Sequence, residues 1–183
     1  PAQPWTLLLS AATAVLAPAA PAGSTGAGGG IEDLRSALRA SHPSRAADLI
    51  TDHLARNRQL LPSVYLERGG VLRCVARKGQ WLVLDGIRPG AGITGSAFAD
   101  RSEIFAHDVR DDARYVAALP GVRSELAVPL RVGGDVVGVL NVDSLSALST
   151  GEAAAVRQCA ALLEQRLDLL FAPEARPLVT EEL

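Results

Sequence analysis

The chain has 183 residues, 48% of them hydrophobic, with 18 basic and 20 acidic residues for a formal charge of −2. That length supports one domain with a sizeable core plus tails, and the near balance of charge gives no electrostatic basis for a nucleic-acid partner. Cys74 and Cys159 stand far apart with no C-x-x-C pair, which predicts free thiols in a reducing cytoplasm rather than a zinc site or a disulfide framework.

Thr6–Ala17, TLLLSAATAVLA, is apolar but well short of the roughly 20 residues that span a bilayer, so no membrane partner is expected. It reads as a short helix leaning on the domain or on a partner. Pro18–Gly30, PAAPAGSTGAGGG, lacks any apolar period and reads as a flexible linker. The expected organisation is therefore an apolar segment and linker over 1–30, a folded unit over 31–171, and a disordered tail over 172–183 that carries two prolines and acidic residues.

Within the folded unit, Ile31–Ala40 reads as a short helix. Ser44–Asn57 reads as a longer one, with Ser44 as N-cap and with Ala47, Ile50 and Leu54 buried. His53 lies beside that stripe as a core-edge residue. Ser63–Arg68 and Val71–Arg77 are β-patterned and joined by Gly69-Gly70, a hairpin signature that sets Leu72, Cys74 and Ala76 on one side. Trp81–Ile87 continues the extended pattern and is expected to add a strand or the near wall of a pocket.

Residues 88–122 are of a different kind. Glycines at 90, 92 and 95 precede a helix-capable Ser96–Ala99, a short apolar run Glu103–Ala106, His107-Asp108-Val109 and a small helix near Asp112–Ala118. A long mixed connection of this sort crosses one face of a sheet and carries binding residues, so the segment is expected to form a lid. Gly90-x-Gly92-x-x-Gly95 matches the loose dinucleotide fingerprint, but no βαβ unit surrounds it, and turn geometry explains the glycines.

Ser124–Val132 and Asp135–Asp143 are apolar-rich runs meeting at Gly133-Gly134, the strongest hairpin signal in the chain. A three-residue turn would oppose Arg131 to Asp135 and Glu125 to Asn141. That register separates a dry face (Leu126, Val128, Leu130, Leu140, Val142) from one on which Glu125, Asn141 and Asp143 converge. Glu125 and Asn141 would then be about 5 Å apart at Cβ. Such a cluster suits a ligand amine or another cation; the competing reading pairs Glu125 with Arg123 or Arg131 and leaves Asn141 and Asp143 to backbone bonds. Downstream, Ser149-x-x-Glu152 is a capping box that opens a helix running to about Phe171. Its residues Ala153, Val156, Ala160, Leu163, Leu167 and Leu170 repeat at spacings of three and four. A second line, Ala155, Cys159, Leu162 and Leu169, widens the apolar face, so one side can cover the sheet while the other suits a homodimer.

Arg123-Ser124-Glu125, Val128-Pro129-Leu130, Gly133-Gly134 and Val136-Val137-Gly138-Val139-Leu140-Asn141-Val142-Asp143-Ser144 together resemble the second half of a GAF domain, a small-ligand sensing module. Pro89–Gly95, His107-Asp108-Val109 and Asp112-Ala113-Arg114-Tyr115 resemble the same family in order and spacing, so the resemblance covers roughly 31–171. It implies an α+β fold: a central antiparallel sheet of five or six strands, N- and C-terminal helices on one face, and a lid of loops and short helices on the other. It also implies a non-catalytic cytoplasmic regulatory domain, without cofactor, that passes binding of an unidentified small molecule through its terminal helices to an output domain or partner. Thr94, Phe105, Asp108, Tyr115, Glu125, Asn141 and Asp143 are the expected ligand-binding residues, from their lid or sheet-end placement. The alternative from another class is a ligand-free dimerisation module. The hairpin is also similar to that of GAF-fold enzymes that reduce free methionine sulfoxide, but Thr94 and Ala117–Val122 stand where that subgroup carries cysteines. The cyclic-nucleotide pattern of the family is absent, and no cysteine in the lid would carry a bilin. His107, alone in the lid, reads as a loop residue rather than a haem ligand.

Overall fold

Two apolar runs linked by a glycine pair fold back on each other to make the centre of the molecule, β4 (Ser124–Val132) and β5 (Asp135–Ser144). The computed structural model describes residues 30–79, 84–117 and 119–171. The expectations for 1–29 and for 172–183 lie outside them, as do the first three residues, 81–83, of the strand expected over Trp81–Ile87. Ahead of the hairpin come α1 (Ile31–Ala40), α2 (Ala46–Leu54), β1 (Leu60–Arg68), β2 (Val71–Arg77), α3 (Gly92–Ala99) and β3 (Ile104–Ala106); α4 (Thr150–Phe171) follows it. The strands form one antiparallel sheet in the order β2-β1-β5-β4-β3, giving an open five-stranded α+β fold.

The register of the central hairpin differs from the expected one. Gly133 and Gly134, at φ +58° and +90°, form a two-residue turn that directly opposes Val132 and Asp135. Left-handed backbone at both turn positions is what requires glycine there. A bulge then shifts the ladder between Leu130 and Arg131, so that Glu125 faces Asp143 and Ala127 faces Asn141. The displacement from the expected pairing is two residues, and a strand repeats its faces every two, so the separation into dry and polar sides survives. Close packing explains the glycine beside the bulge: a Cβ on Gly138 would sit 2.1 Å from the Tyr65 carbonyl oxygen.

A second bulge lies in the β1–β2 hairpin, where Val64 opposes Ala76 but Tyr65 opposes Cys74. Ala76 consequently turns toward the helices while Leu72 and Cys74 stay on the other side, against the expectation that all three share a face. Two cores result. Leu34, Leu38, Ile50, Leu54, Val156, Leu163 and Leu167 of α1, α2 and α4 close over Val64, Leu126, Leu130, Leu140 and Val142. On the opposite face, Ile93, Ala97, Val109 and Val122 close over Leu61, Tyr65, Leu72, Ala127 and Val139.

The capping box of α4 forms as expected. Ser149 Oγ accepts from the Glu152 N–H at 3.2 Å, and the Ser149 N–H donates to Glu152 Oε2 at 2.8 Å. The start of α2 is different: His42 Nδ1 accepts from the Ser44 N–H, a short 3-10 turn occupies Pro43–Arg45, and the helix begins at Ala46. In the lid, α3 starts at Gly92 rather than Ser96, and a turn with the Tyr115 N–H on the Asp112 carbonyl stands where a small helix was expected. Of 84–87, Ile87 alone pairs, with Leu72. Among the described residues no helix is long and apolar enough to cross a membrane.

Candidate functional site

The polar end of the sheet is built by alternation along three neighbouring strands. Glu125 on β4 opposes Asp143 on β5, and Asp143 opposes Leu61 on β1; Asn141 lies between Ala127 and Ser63. Residues opposite one another share a face, so Glu125, Asn141, Asp143, Ser63 and Tyr65 all look toward the lid. Ser63, Tyr65, Glu125 and Asn141 are buried there. From above, α3 lowers Thr94 onto the cluster, its Oγ1 donating to Glu125 Oε1 at 3.3 Å. Asn141 Nδ2 donates to Asp143 Oδ2 at 3.3 Å, and Asn141 Oδ1 is buried without a partner among the described residues.

Two carboxylates opposite each other in a dry site cannot both ionise cheaply. Burial, then the charge of Asp143, pushes the Glu125 carboxyl well above its usual range, and its hydrogen bonds to Thr94 and Asn141 oppose this. Burial likewise pushes Asp143 up to about 7. Burial, followed by the charges of Asp143 and Glu125, pushes the Tyr115 phenol up to about 12. Tyr65 is raised as well, mainly by burial, so both phenols remain hydrogen-bond donors. The site thus holds two carboxyls pushed toward the neutral form and walled by neutral hydroxyls. Among the described residues no group of His, Cys, Asp and Glu is placed to hold a metal ion.

Thr94, Tyr115, Glu125, Asn141 and Asp143 come together as the sequence places them. Phe105 does not join them. It opposes Leu126 in β3, packs into the helix-side core, and lies 3.9 Å from the His107 ring, centroid to centroid. Asp108 is engaged elsewhere: its carboxylate accepts from Arg110 Nε at 2.9 Å and from Arg123 Nη2 at 3.3 Å, and the Arg110 bonds hold it well below the usual carboxylate range. Ser63 and Tyr65 were not among the expected residues. A serine and a tyrosine two apart in a strand otherwise rich in leucine and valine were the available signal, but their use depends on β1 lying beside β5.

The GAF domain family model matches residues 42–167, more than half of the chain. The chain belongs to the GAF domain family. Among curated proteins, GAF domain-containing protein A of Dictyostelium discoideum is 34% identical over 58 residues, which are 32% of this chain and 37% of that protein. The chain therefore spans little more than a third of the length of that relative. Among solved structures, free methionine-R-sulfoxide reductase from Neisseria meningitidis, in complex with its substrate, superposes with a TM-score of 0.65 at 23% identity, over 75% of this chain and 86% of that one. The GAF domain from Acinetobacter phosphoenolpyruvate-protein phosphotransferase gives 0.63 at 21%, over 75% and 89%. A free methionine-R-sulfoxide reductase and a GAF domain of a phosphotransferase thus share this fold. In this GAF domain the two thiols sit on opposite faces of the sheet. Cys74 is half-buried across from Tyr65, its thiol raised by burial, and Cys159 lies in the helix-side core, pushed by burial up to about 12.

Proposed function

We propose that this GAF domain is a non-catalytic sensor of a small molecule bearing a protonated amine, held between sheet and lid by Glu125, Asn141 and Asp143 with Thr94, Tyr115, Ser63 and Tyr65 around it. One observation carries the reading: Glu125 and Asp143 face each other across the hairpin in a buried site, and neither is in an ion pair with a described residue. An ammonium group supplies the missing charge and three donors, enough for both carboxylates and for Asn141 Oδ1. With the lid closed, water is excluded and each of these contacts strengthens.

Ligand entry separates Thr94 from Glu125 and so couples α3 to occupancy. The response leaves through the terminal helices on the other face, where the last turn of α4 exposes Leu169, Leu170 and Phe171 to an output domain or to a second copy of the chain. The raised pKa values of both thiols support a regulatory role over sulfoxide reduction, because thiol redox chemistry needs a thiolate and a resolving partner within reach.

The test is thermal denaturation against a panel of amines, amino acids and nucleotides. A cognate amine at 100 times its dissociation constant should stabilise by about 2.7 kcal/mol, a rise of roughly 5–10 °C for a chain of this size, and the rise should vanish in Glu125→Gln. No stabilisation by any amine overturns the proposal. Turnover of free methionine sulfoxide that is lost in Cys74→Ser replaces it with the enzymatic reading.

A further inference from the structure

On the side of the sheet away from the lid, α1 and α4 leave a groove of about 220 Å3 between them. Leu38, Leu162 and Leu169 supply its apolar lining; Arg35 and Arg39 reach it from α1 and Arg166 from α4. The three guanidiniums are incompletely used. Arg166 Nη2 donates to the Ser41 carbonyl at 2.8 Å, but its Nε is shut off from solvent with no hydrogen-bond partner. Arg35 Nε is ion-paired with Glu32 Oε1 at 3.3 Å, but out of hydrogen-bond geometry, and the atom is likewise shut off from solvent without a hydrogen bond. Arg39 is in no ion pair with a described residue. The groove thus gathers three guanidiniums, the exposed Arg39 and the half-buried Arg35 and Arg166, beside an apolar lining, with Glu32 the carboxylate paired to one of them.

We propose that this groove is a second ligand site, for a small carboxylate with an apolar body. The planar guanidinium forks match a carboxylate, the leucines accept a ring or short chain, and the volume is below the drug-sized range and suits a small guest. Because the arginines come from both terminal helices, an occupant bridges α1 to α4. It therefore acts on the elements that lead out of the domain, independently of the lid site and of whether that site binds an amine.

Benzoate is a suitable probe, titrated into the full chain and followed by amide proton–nitrogen correlation spectra, with chloride at matched ionic strength as the control. Saturable shifts confined to residues 31–41 and 162–171 are expected at about millimolar concentration, absent with chloride. Arg39→Gln, which alters an exposed side chain and leaves the fold intact, should weaken benzoate about tenfold, one charge-assisted pair. Absence of saturation, or equal affinity in Arg39→Gln, overturns the proposal.

Discussion

At Asp143, burial outweighs the hydrogen bond from Asn141, and the carboxyl that titrates near 3.8 in the unfolded chain is raised to about 7 in the folded one. The folded state therefore holds a proton that the unfolded state releases, so stability from this group is full below about pH 4. It falls as the pH rises toward 7 and is flat above. Glu125 is raised in the same sense and titrates jointly with it. Asp143→Asn keeps the shape and removes the charge. Urea unfolding should find this variant equal to wild type near pH 4 and more stable by about 1–3 kcal/mol at pH 8, less than the full linkage value because Asp143 is only partly buried. Equal midpoints at both pH values would mean that solvent reaches the carboxylate freely. The same strain is the reservoir a cationic ligand draws on: an ammonium group relieves at pH 8 what a proton relieves at pH 4.

Single elements differed in how far the sequence revealed them, and the differences follow the range of the forces that shape them. The capping box at Ser149 and Glu152 is a local exchange of hydrogen bonds, legible in four residues, and it forms as read. The boundaries of α1 and β2 were equally legible, since each rests on its own periodicity. Both bulges were not: the β4–β5 ladder shifts beside Gly138, whose bare backbone admits the Tyr65 carbonyl of another strand, and nothing within the hairpin announces that approach. The helix-side facing of Phe105 was not legible either, because Ile104–Ala106 has three residues, too few for alternation to show which side is buried. The α4 cap also does more than end a helix. Glu152 Oε1 accepts from Asn57 Nδ2 at 2.7 Å, tying the entry of α4 to the loop after α2. Ser149→Ala should cost about 1 kcal/mol in chemical denaturation, with Asn57→Ala adding less than its separate effect when the two are combined. Strict additivity would separate the cap from the interhelix bond.

Across the whole molecule, the sheet separates two cores of unequal strength. The helix-side core joins three helices to the middle strands, with Ile50, Val64, Leu126, Leu140, Val156 and Leu163 fully buried; the lid-side core is smaller and rests on one short helix and loops. Local openings are drawn from the weaker unit. Hydrogen exchange should therefore divide the amides into two classes. Those of β1, β4, β5 and α4 should exchange only through global unfolding, while those of α3 and of residues 103–117 should exchange through a partial opening of lower free energy. Raising the pH from 4 to 8 in the absence of ligand should lower the free energy of that partial opening, because ionising Glu125 and Asp143 beneath a closed lid is costlier than ionising them in an open one. A bound amine should reverse the change, adding protection to the lid by up to RT ln(1 + [L]/Kd). Uniform exchange across both cores would make the lid part of one cooperative unit, and a ligand could then enter only through global unfolding, too rare an event for a sensor.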